Sequence, residues 1–397
     1  MRLALRVPYL SSCPTGAIVE KSNIAQVLDE LESKRHITIA QFAPSVRVTI
    51  SEELGMAPGQ MSANALAKSL KDLGFDYVFD TNFSADLTIL EEGSELLKRL
   101  ELGGPFPMFT SCCPAWVTMC EKSYPHLLKN LSTARSPQQM LGSIVKNIFS
   151  QSRQLEPKSI KMVSIMPCTA KKYEAHRPEF SSQEYGADVD YVLTTRELGK
   201  MLRMKQVKVS LNDPEMYLDS PMAESTGAGM LFGATGGVME AALRSAQILS
   251  GVDSKDLIPL GGLSALRGLD GVKAAKAKLK KKNGESVQVS VAAVNGIGYA
   301  KHLLEKMQSG QVSFDFIEVM SCPGGCIGGG GQPKSRDIDI LSKRIKSVYS
   351  LDERAVIRKS HENPSVQQLY QEHLGHPLSD LSHKLLHTHY VDRSNDF

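Results

Sequence analysis

Val319-Met320-Ser321-Cys322-Pro323-Gly324-Gly325-Cys326 ends an apolar run, residues 314–319, that reads as a β-strand. The run stops at a cysteine beside a proline, and the same pattern occurs twice upstream. Met108-Phe109-Thr110 leads into Ser111-Cys112-Cys113-Pro114, and Ile165-Met166 leads into Pro167-Cys168. Ligands of α/β proteins collect outside the carboxyl ends of strands. Thiols at three separate strand ends therefore point to one shared site.

Working outward from these ends, strands alternate with helices. Residues 37–42, 77–80, 160–165, 191–193 and 287–294 read as strands. Helical spacing marks 64–73, 85–100, 238–249 and 299–307. Such alternation predicts α/β layers with helices covering sheets. The lysine-rich stretch 273–283 reads as a solvated helix and turn.

The chain has 397 residues, enough for two or three domains with a large core. Apolar residues at 42% and charged residues at 22% exclude wholesale disorder. A net charge of +3 gives no field that would select nucleic acid. The uncharged stretch 225–239 is glycine-rich and short of the roughly 20 residues a membrane helix needs. No secretory signal is evident at the start, although the first twelve residues, with two arginines and no acid, have the character of a very short presequence. The cysteine count is seven, an odd number, which favours reduced thiols or metal thiolates over a disulfide framework.

An iron–sulfur cubane takes four thiolates. Candidates stand at Cys113, Cys168, Cys322 and Cys326, so a large fold must gather them. Pro323-Gly324-Gly325 lets the backbone turn closely between the last two, because glycine tolerates dihedrals closed to other residues. Tetrahedral zinc is the competitor, but zinc sites usually show two short cysteine pairs and this chain has one pair and two singletons. Cys112 adjoins Cys113, and neighbouring side chains diverge. Cys112 is then either a free thiol that can pass protons or a small buried hydrophobe. Lys171 and Lys172 follow Cys168, with Glu174 placed to pair with one of them. Glu92, Glu95 and Arg99 share one face of a predicted helix, and spacing alone favours a solvated face over a proton relay. Cys13 and Cys120 read as inert. His383, His387 and His389 could place nitrogens together around a metal, a reading that the family resemblance given next replaces with a packed tail.

Taken together these stretches resemble the [FeFe]-hydrogenases, over essentially everything after residue 13. Three signatures carry the resemblance: TSCCPAW at 110–116, MPCTAKKYE at 166–174 and EVMSCPGGCIGGGGQP at 318–333. FAPSVRV, FDTNFSADLTILEE, STARSPQQMLG, FGATGGVMEAALR, SHENP and LLHTHY support it.

The resemblance implies an H-cluster, in which a [4Fe–4S] cubane joins a two-iron subcluster carrying CO, cyanide and an azadithiolate bridge. Cys113, Cys168, Cys322 and Cys326 would hold the cubane, with the Cys326 sulfur shared. Lys171 would donate to a cyanide, and Cys112 would exchange protons with the bridge. Glu92, Ser132 and Glu95 would continue the relay, with Arg99 near its surface end. Ala43, Pro44, Ser136, Gln138, Met166 and Met320 would pack around the two-iron part. The implied architecture is two α/β lobes, each a mixed sheet flanked by helices, with the cluster in the cleft. The expected divisions are 1–20 as a ferredoxin-like remnant or presequence, 21–155 and 156–335 as the lobes, and 336–397 as a helical small-subunit-like wrap.

The expected activity is reversible reduction of protons to H2 with electrons from ferredoxin, in a monomer matured by hydrogenase maturation proteins. Neither nucleic acid nor a membrane span is expected, and the compartment is left open between cytoplasm and an organelle matrix. One departure from the family stands out. Cys13-Pro14 looks like the end of a ferredoxin-type cysteine run, but Tyr9, Arg6 and Leu3 occupy the other ligand positions. The expectation is a truncated copy or a short form that ferredoxin reaches directly. Two alternatives remain. One is a non-catalytic iron–sulfur assembly protein of the nuclear prelamin A recognition factor-like group, and the other is a sensory hydrogenase. Retention of Cys112, Lys171, Glu174, Met166 and Met320 favours the enzyme.

Overall fold

The computed structural model describes residues 19–211 and 215–396. Cys13 and the expected segment before it lie outside the described residues. The strands are β1 (Ile37–Phe42), β2 (Tyr77–Asp80), β3 (Met108–Phe109), β4 (Ile160–Met166), β5 (Ser181–Ser182), β6 (Gly186–Ala187), β7 (Tyr191–Thr194), β8 (Val272–Lys280), β9 (Ser286–Asn295) and β10 (Phe316–Met320). They form two four-stranded sheets, ordered β2-β1-β4-β7 and β3-β10-β9-β8, and a small β5-β6 ribbon.

The first sheet is parallel throughout, with Phe42 level with Asp80 on one side and Ile165 on the other. Parallel strands are covered on both faces, which is why ITIAQF and IKMVSIM read as near-continuous apolar runs. The second sheet is mixed, since β3, β10 and β9 are parallel and β8 returns antiparallel to β9. Each sheet draws strands from both sides of residue 155: β3 belongs to the second sheet, and β4 and β7 to the first. The chain thus crosses between the layers, and its sheets do not coincide with the expected segments 21–155 and 156–335.

Stretch 273–283 is a correction. It is not a solvated helix and turn but the edge strand β8 and the turn into β9. The physical reason is a period of two: Lys273, Ala277 and Leu279 are buried while Lys276 and Lys278 face out. Lys273 is buried because its ammonium donates to the Thr235 and Gly268 carbonyls. The outward lysines protect an unpaired sheet edge.

Helices used below are α1 (Pro44–Glu53), α2 (Thr81–Leu102), α3 (Pro114–Ser123), α4 (Pro137–Ile144), α5 (Ala170–Ala175), α6 (Gly237–Leu249) and α7 (Asp380–Leu386). Asp80 caps α2 by accepting from the Asn82 N–H, and Gly103 ends it in a left-handed conformation. One stripe of α2, with Phe83, Leu87 and Leu90, enters the core of the first sheet. Another, with Ala85, Ile89, Leu96 and Leu100, enters the core of the second. A helix wedged between two cores has little solvated face. Glu91, Glu92, Glu95 and Arg99 are accordingly all buried, which corrects the solvated-face reading of the last three.

Both sheets aim the carboxyl ends of their parallel strands at one place. β1 ends at Ala43-Pro44, β2 at Thr81, β3 before Cys112-Cys113, β4 at Pro167-Cys168 and β10 at Ser321-Cys322. Gly325 closes the last turn with φ +85°, and a Cβ there would sit 2.6 Å from the Thr235 nitrogen. A side chain pays for both the left-handed backbone and the clash. Gly325→Ala is expected to cost at least ~2 kcal/mol. A melt of the unloaded chain checks this, and an unchanged midpoint would contradict it.

Candidate functional site

The strand ends border a partly open cavity with about 740 Å³ of space free of protein atoms, its mouth included. Cys112, Cys113, Cys168, Cys322 and Cys326 all line it. Cys113, Cys168 and Cys322 pack in one small cluster with Ala115 and Ala170, and the Cys113 thiol lies 3.3 Å from the Ser321 hydroxyl. Cys112 packs instead against the core of the second sheet, beside Cys326. The adjacent pair thus diverges, as neighbouring side chains must. Cys120 is buried within α3, away from the cavity lining.

The thiols sit where ionisation is costly. Burial first, and then the charges of the neighbouring thiols, push Cys168 up to about 11 and Cys326 up to about 12. Cys322 is pushed well up for the same reasons. Gathering such sulfurs is unfavourable until a cation stabilises their thiolates. Among the described residues no three His, Cys, Asp or Glu side chains converge closely enough to hold a single metal ion. A ring of sulfurs around a roomy cavity suits a polynuclear centre.

Lys171 lines the cavity from α5. Its ammonium donates to Glu174 Oε2 at 2.9 Å and to the Cys112 carbonyl at 3.1 Å. Burial alone would discharge it, but the Glu174 carboxylate outweighs burial and holds it charged. Two of its three donors are used, which leaves one for a ligand. Glu174 Oε2 also accepts from Ser136 Oγ at 2.9 Å and Gln138 Nε2 at 3.0 Å. Gln138 Oε1 is buried without a partner. A spare ammonium donor and sulfur ligands fit an anionic iron–sulfur group, and the orphaned amide oxygen of Gln138 would accept from a donor on one of its ligands. Lys172 faces elsewhere, paired with Glu197.

Ala43, Pro44, Gln138, Met166 and Met320 line the cavity. Ser136 does not: with Glu174 it lines a smaller neighbouring cavity, and it reaches the lining residues Lys171 and Gln138 only by way of the Glu174 carboxylate. Phe232, Ala85, Thr81 and Ser45 also line the main cavity and were not singled out from sequence. Phe232 opens the FGATGG stretch, and Thr81 and Ala85 lie in FDTNFSADLTILEE, so the signal was present without a role attached.

Beside the cavity a polar line crosses the core. Glu92 is buried with neither carboxyl oxygen hydrogen-bonded. Burial and then the Glu95 charge push it up to about 8, and the nearby Ser132 hydroxyl and Ser111 backbone offset this only in part. Ser132 Oγ donates to Glu95 Oε2 at 2.8 Å. Arg99 donates to Glu95 Oε1 at 2.6 Å and to the Leu131 carbonyl at 2.7 Å. Arg99 stands beyond Glu95 on this line and is itself only 7% exposed, because α2 is enclosed. His387 is not grouped for metal. It is 3% exposed, held between Glu91 and Thr133, and stacked on His383 with centroids 4.7 Å apart.

Comparison with known proteins agrees with this geometry. The family described as iron only hydrogenase large subunit, C-terminal domain, matches residues 36–330, and iron hydrogenase small subunit matches 338–393. The chain is 46% identical over 394 residues to the NADP-reducing hydrogenase subunit HndD of Solidesulfovibrio fructosivorans, covering 96% of this chain and 64% of that protein. It is 42% identical to iron hydrogenase 1 of Clostridium pasteurianum, covering 95% of this chain and 65% of that protein. It thus spans somewhat under two thirds of these relatives. A variant of [FeFe]-hydrogenase HydA1 from Chlamydomonas reinhardtii superposes with a TM-score of 0.83 at 44% identity, covering 94% of this chain and 99% of that one. Cytosolic iron-sulfur assembly component 3 of Mus musculus is 31% identical, covering 96% of this chain and 81% of that protein. No described helix is long and apolar enough to cross a membrane. Sulfur-bearing strand ends, family match and superposition converge, and the chain belongs to the iron-only, or [FeFe], hydrogenases, with the small-subunit segment carried in the same chain.

Proposed function

We propose that this chain catalyses the reversible reduction of protons to H2, with ferredoxin as the electron partner. The observation that carries the proposal is a fifth thiol, Cys112, lining the same cavity as Cys113, Cys168, Cys322 and Cys326 and lying beside the buried Glu92–Ser132–Glu95 line. In this reading Cys113, Cys168, Cys322 and Cys326 would hold a [4Fe–4S] cubane, and the rest of the cavity would take a two-iron subcluster bearing CO, cyanide and azadithiolate. Bound there, the H-cluster supplies the redox chemistry that interconverts protons, electrons and H2.

The chain's own residues do the rest. Lys171, kept charged by Glu174, orients an anionic ligand by charge-assisted hydrogen bonding. Ala43, Pro44, Met166 and Met320 exclude water from the cavity, and Gln138 offers its free amide oxygen. Cys112 exchanges protons between the cavity and Glu92. Glu92, neutral at pH 7, donates toward Ser132, which donates to Glu95. Arg99 orients Glu95. The enzyme works as a monomer after loading by hydrogenase maturation proteins.

A second reading, iron–sulfur assembly without hydrogenase activity, is favoured by the likeness to the murine assembly component. Identity is 31% there against 42–46% for the hydrogenases. The test is anaerobic co-expression with maturation proteins. H2 evolution from reduced ferredoxin or methyl viologen is expected, with infrared bands of metal-bound CO and cyanide. Iron–sulfur absorbance without those bands would select the second reading.

A further inference from the structure

The outer end of the polar line raises a question that Arg99 does not answer. An arginine guanidinium keeps its protons in proteins, so Arg99 can orient Glu95 but cannot hand it a proton. Glu95 Oε2 has another neighbour. The Thr133 backbone N–H donates to it at 3.0 Å, and the Thr133 hydroxyl stands 3.5 Å away. Thr133 is partly exposed, while Glu95 and Ser132 are buried. The same hydroxyl lies 2.8 Å from His387 Nδ1, and His387 Nε2 lies 3.0 Å from Glu91 Oε2.

We propose that Thr133 is the solvent-side entry to Glu95, and that His387, anchored by Glu91, is a positioning residue that sets which way the Thr133 hydroxyl points. This rests on the proton-reducing reading above. With His387 neutral, Nε2–H donates to the Glu91 carboxylate and Nδ1 accepts the Thr133 proton, which turns the hydroxyl away from Glu95. With His387 protonated, Nδ1–H donates to Thr133 Oγ, and the hydroxyl proton turns to Glu95 Oε2. One proton on the imidazole therefore connects Glu95 to its entry, and losing it disconnects them.

The surroundings are built to hold this arrangement. Glu91 is fixed by Tyr370, Ser382 and the Leu378 N–H, and it is held below its usual range despite burial by His387, Ser382 and Tyr370. His387 meets Glu91 from α2 directly and stacks on His383 from α7, with Tyr370 on the far side of Glu91, Glu95 on the far side of Thr133, and Arg135 at its backbone. Arg135 Nε donates to the His387 carbonyl at 2.8 Å. Lys98 acts on His383 from α2. Ala134 pairs with His387 as an isolated antiparallel bridge, and Tyr390 donates to the Ser132 carbonyl at 2.5 Å. The small-subunit segment thereby clamps the backbone that presents both Ser132 and Thr133.

The test uses matured full-length enzyme with methyl viologen. H2 evolution is followed across pH for the wild type, His387→Gln, Thr133→Val and their double variant, with the exposed His376→Gln as control. Glutamine keeps a donor for Glu91 but cannot be protonated. His387→Gln is expected to flatten a pH step that His376→Gln keeps. Thr133→Val is expected to slow evolution about 3–10-fold and to make the His387 change silent, so that the double variant equals Thr133→Val. A wild-type pH profile in His387→Gln, or rates that multiply in the double variant, overturns the proposal. A wild type that makes no H2 after maturation removes the underlying reading and this one with it. In unloaded protein, histidine NMR provides a second readout: Thr133→Val is expected to shift the His387 Nδ1 resonance while leaving that of His376 in place, and an unmoved His387 resonance overturns the contact.

Discussion

Cys112→Ala is expected to leave the iron content and visible absorption of matured enzyme unchanged and to lower H2 evolution by about 100-fold or more. The expectation follows from the divergence of two adjacent side chains. Cys113 packs with Cys168 and Cys322, while Cys112 packs against the second sheet beside Cys326. Removing one sulfur therefore spares the other's ligand role. General acid–base groups are worth roughly 10²–10⁴ in rate, and no other protonatable side chain lies between the cavity and Glu92 in this reading. Stability is expected to change little, since alanine leaves only a small void at a site already bordering a cavity. Cys322→Ala gives the contrast, with visible absorption lost. Full turnover in Cys112→Ala would remove the thiol from the proton path, and loss of iron would make it a ligand.

The contrast also shows what sequence could and could not supply. Strand ends bearing Cys113, Cys168 and Cys322 were legible because strand periodicity and proline both mark where a chain turns, and thiols at such ends have few other uses. Their convergence on one cavity followed from the carboxyl-end rule for parallel sheets. The state of Glu92, Glu95 and Arg99 was not legible from spacing. An acidic stripe on a helix is solvated unless the helix is enclosed, and enclosure of α2 depends on two sheets whose strands lie far apart in the chain. Lys273 failed for a related reason: lysine and alanine favour helix locally, and only pairing with β9 imposes the strand. Ser136 was assigned to the cavity on motif grounds, but it reaches only Glu174. His387 appeared as part of a tail. Its bond to Thr133, 254 residues away, is purely a matter of tertiary structure.

Glu92→Gln separates the proton path from the fold in one variant. Burial, and then the Glu95 charge, push the Glu92 carboxyl from its ordinary 4.5 up to about 8 in the folded chain. Between those values the folded state binds more protons than the unfolded one. Stability of the wild type therefore falls as pH rises from about 4.5 to about 8, by at most about 5 kcal/mol. Glutamine has no proton to lose and escapes this loss. Glu92→Gln is expected to gain stability relative to wild type across that interval and to hold a constant difference above it. Urea melts of the unloaded chain at pH 5, 7 and 9 check the sign. A difference independent of pH would mean that Glu92 is not a buried neutral acid. Turnover is expected to move the opposite way, falling about 100-fold, because an amide can occupy the place beside Ser132 but cannot release a proton to it. A variant that is more stable at pH 9 yet nearly inactive would show that the carboxyl is retained there at a cost to the fold. A variant equally stable at every pH and fully active would leave Ser132 and Glu95 as packing groups and require Cys112 to meet solvent by another route.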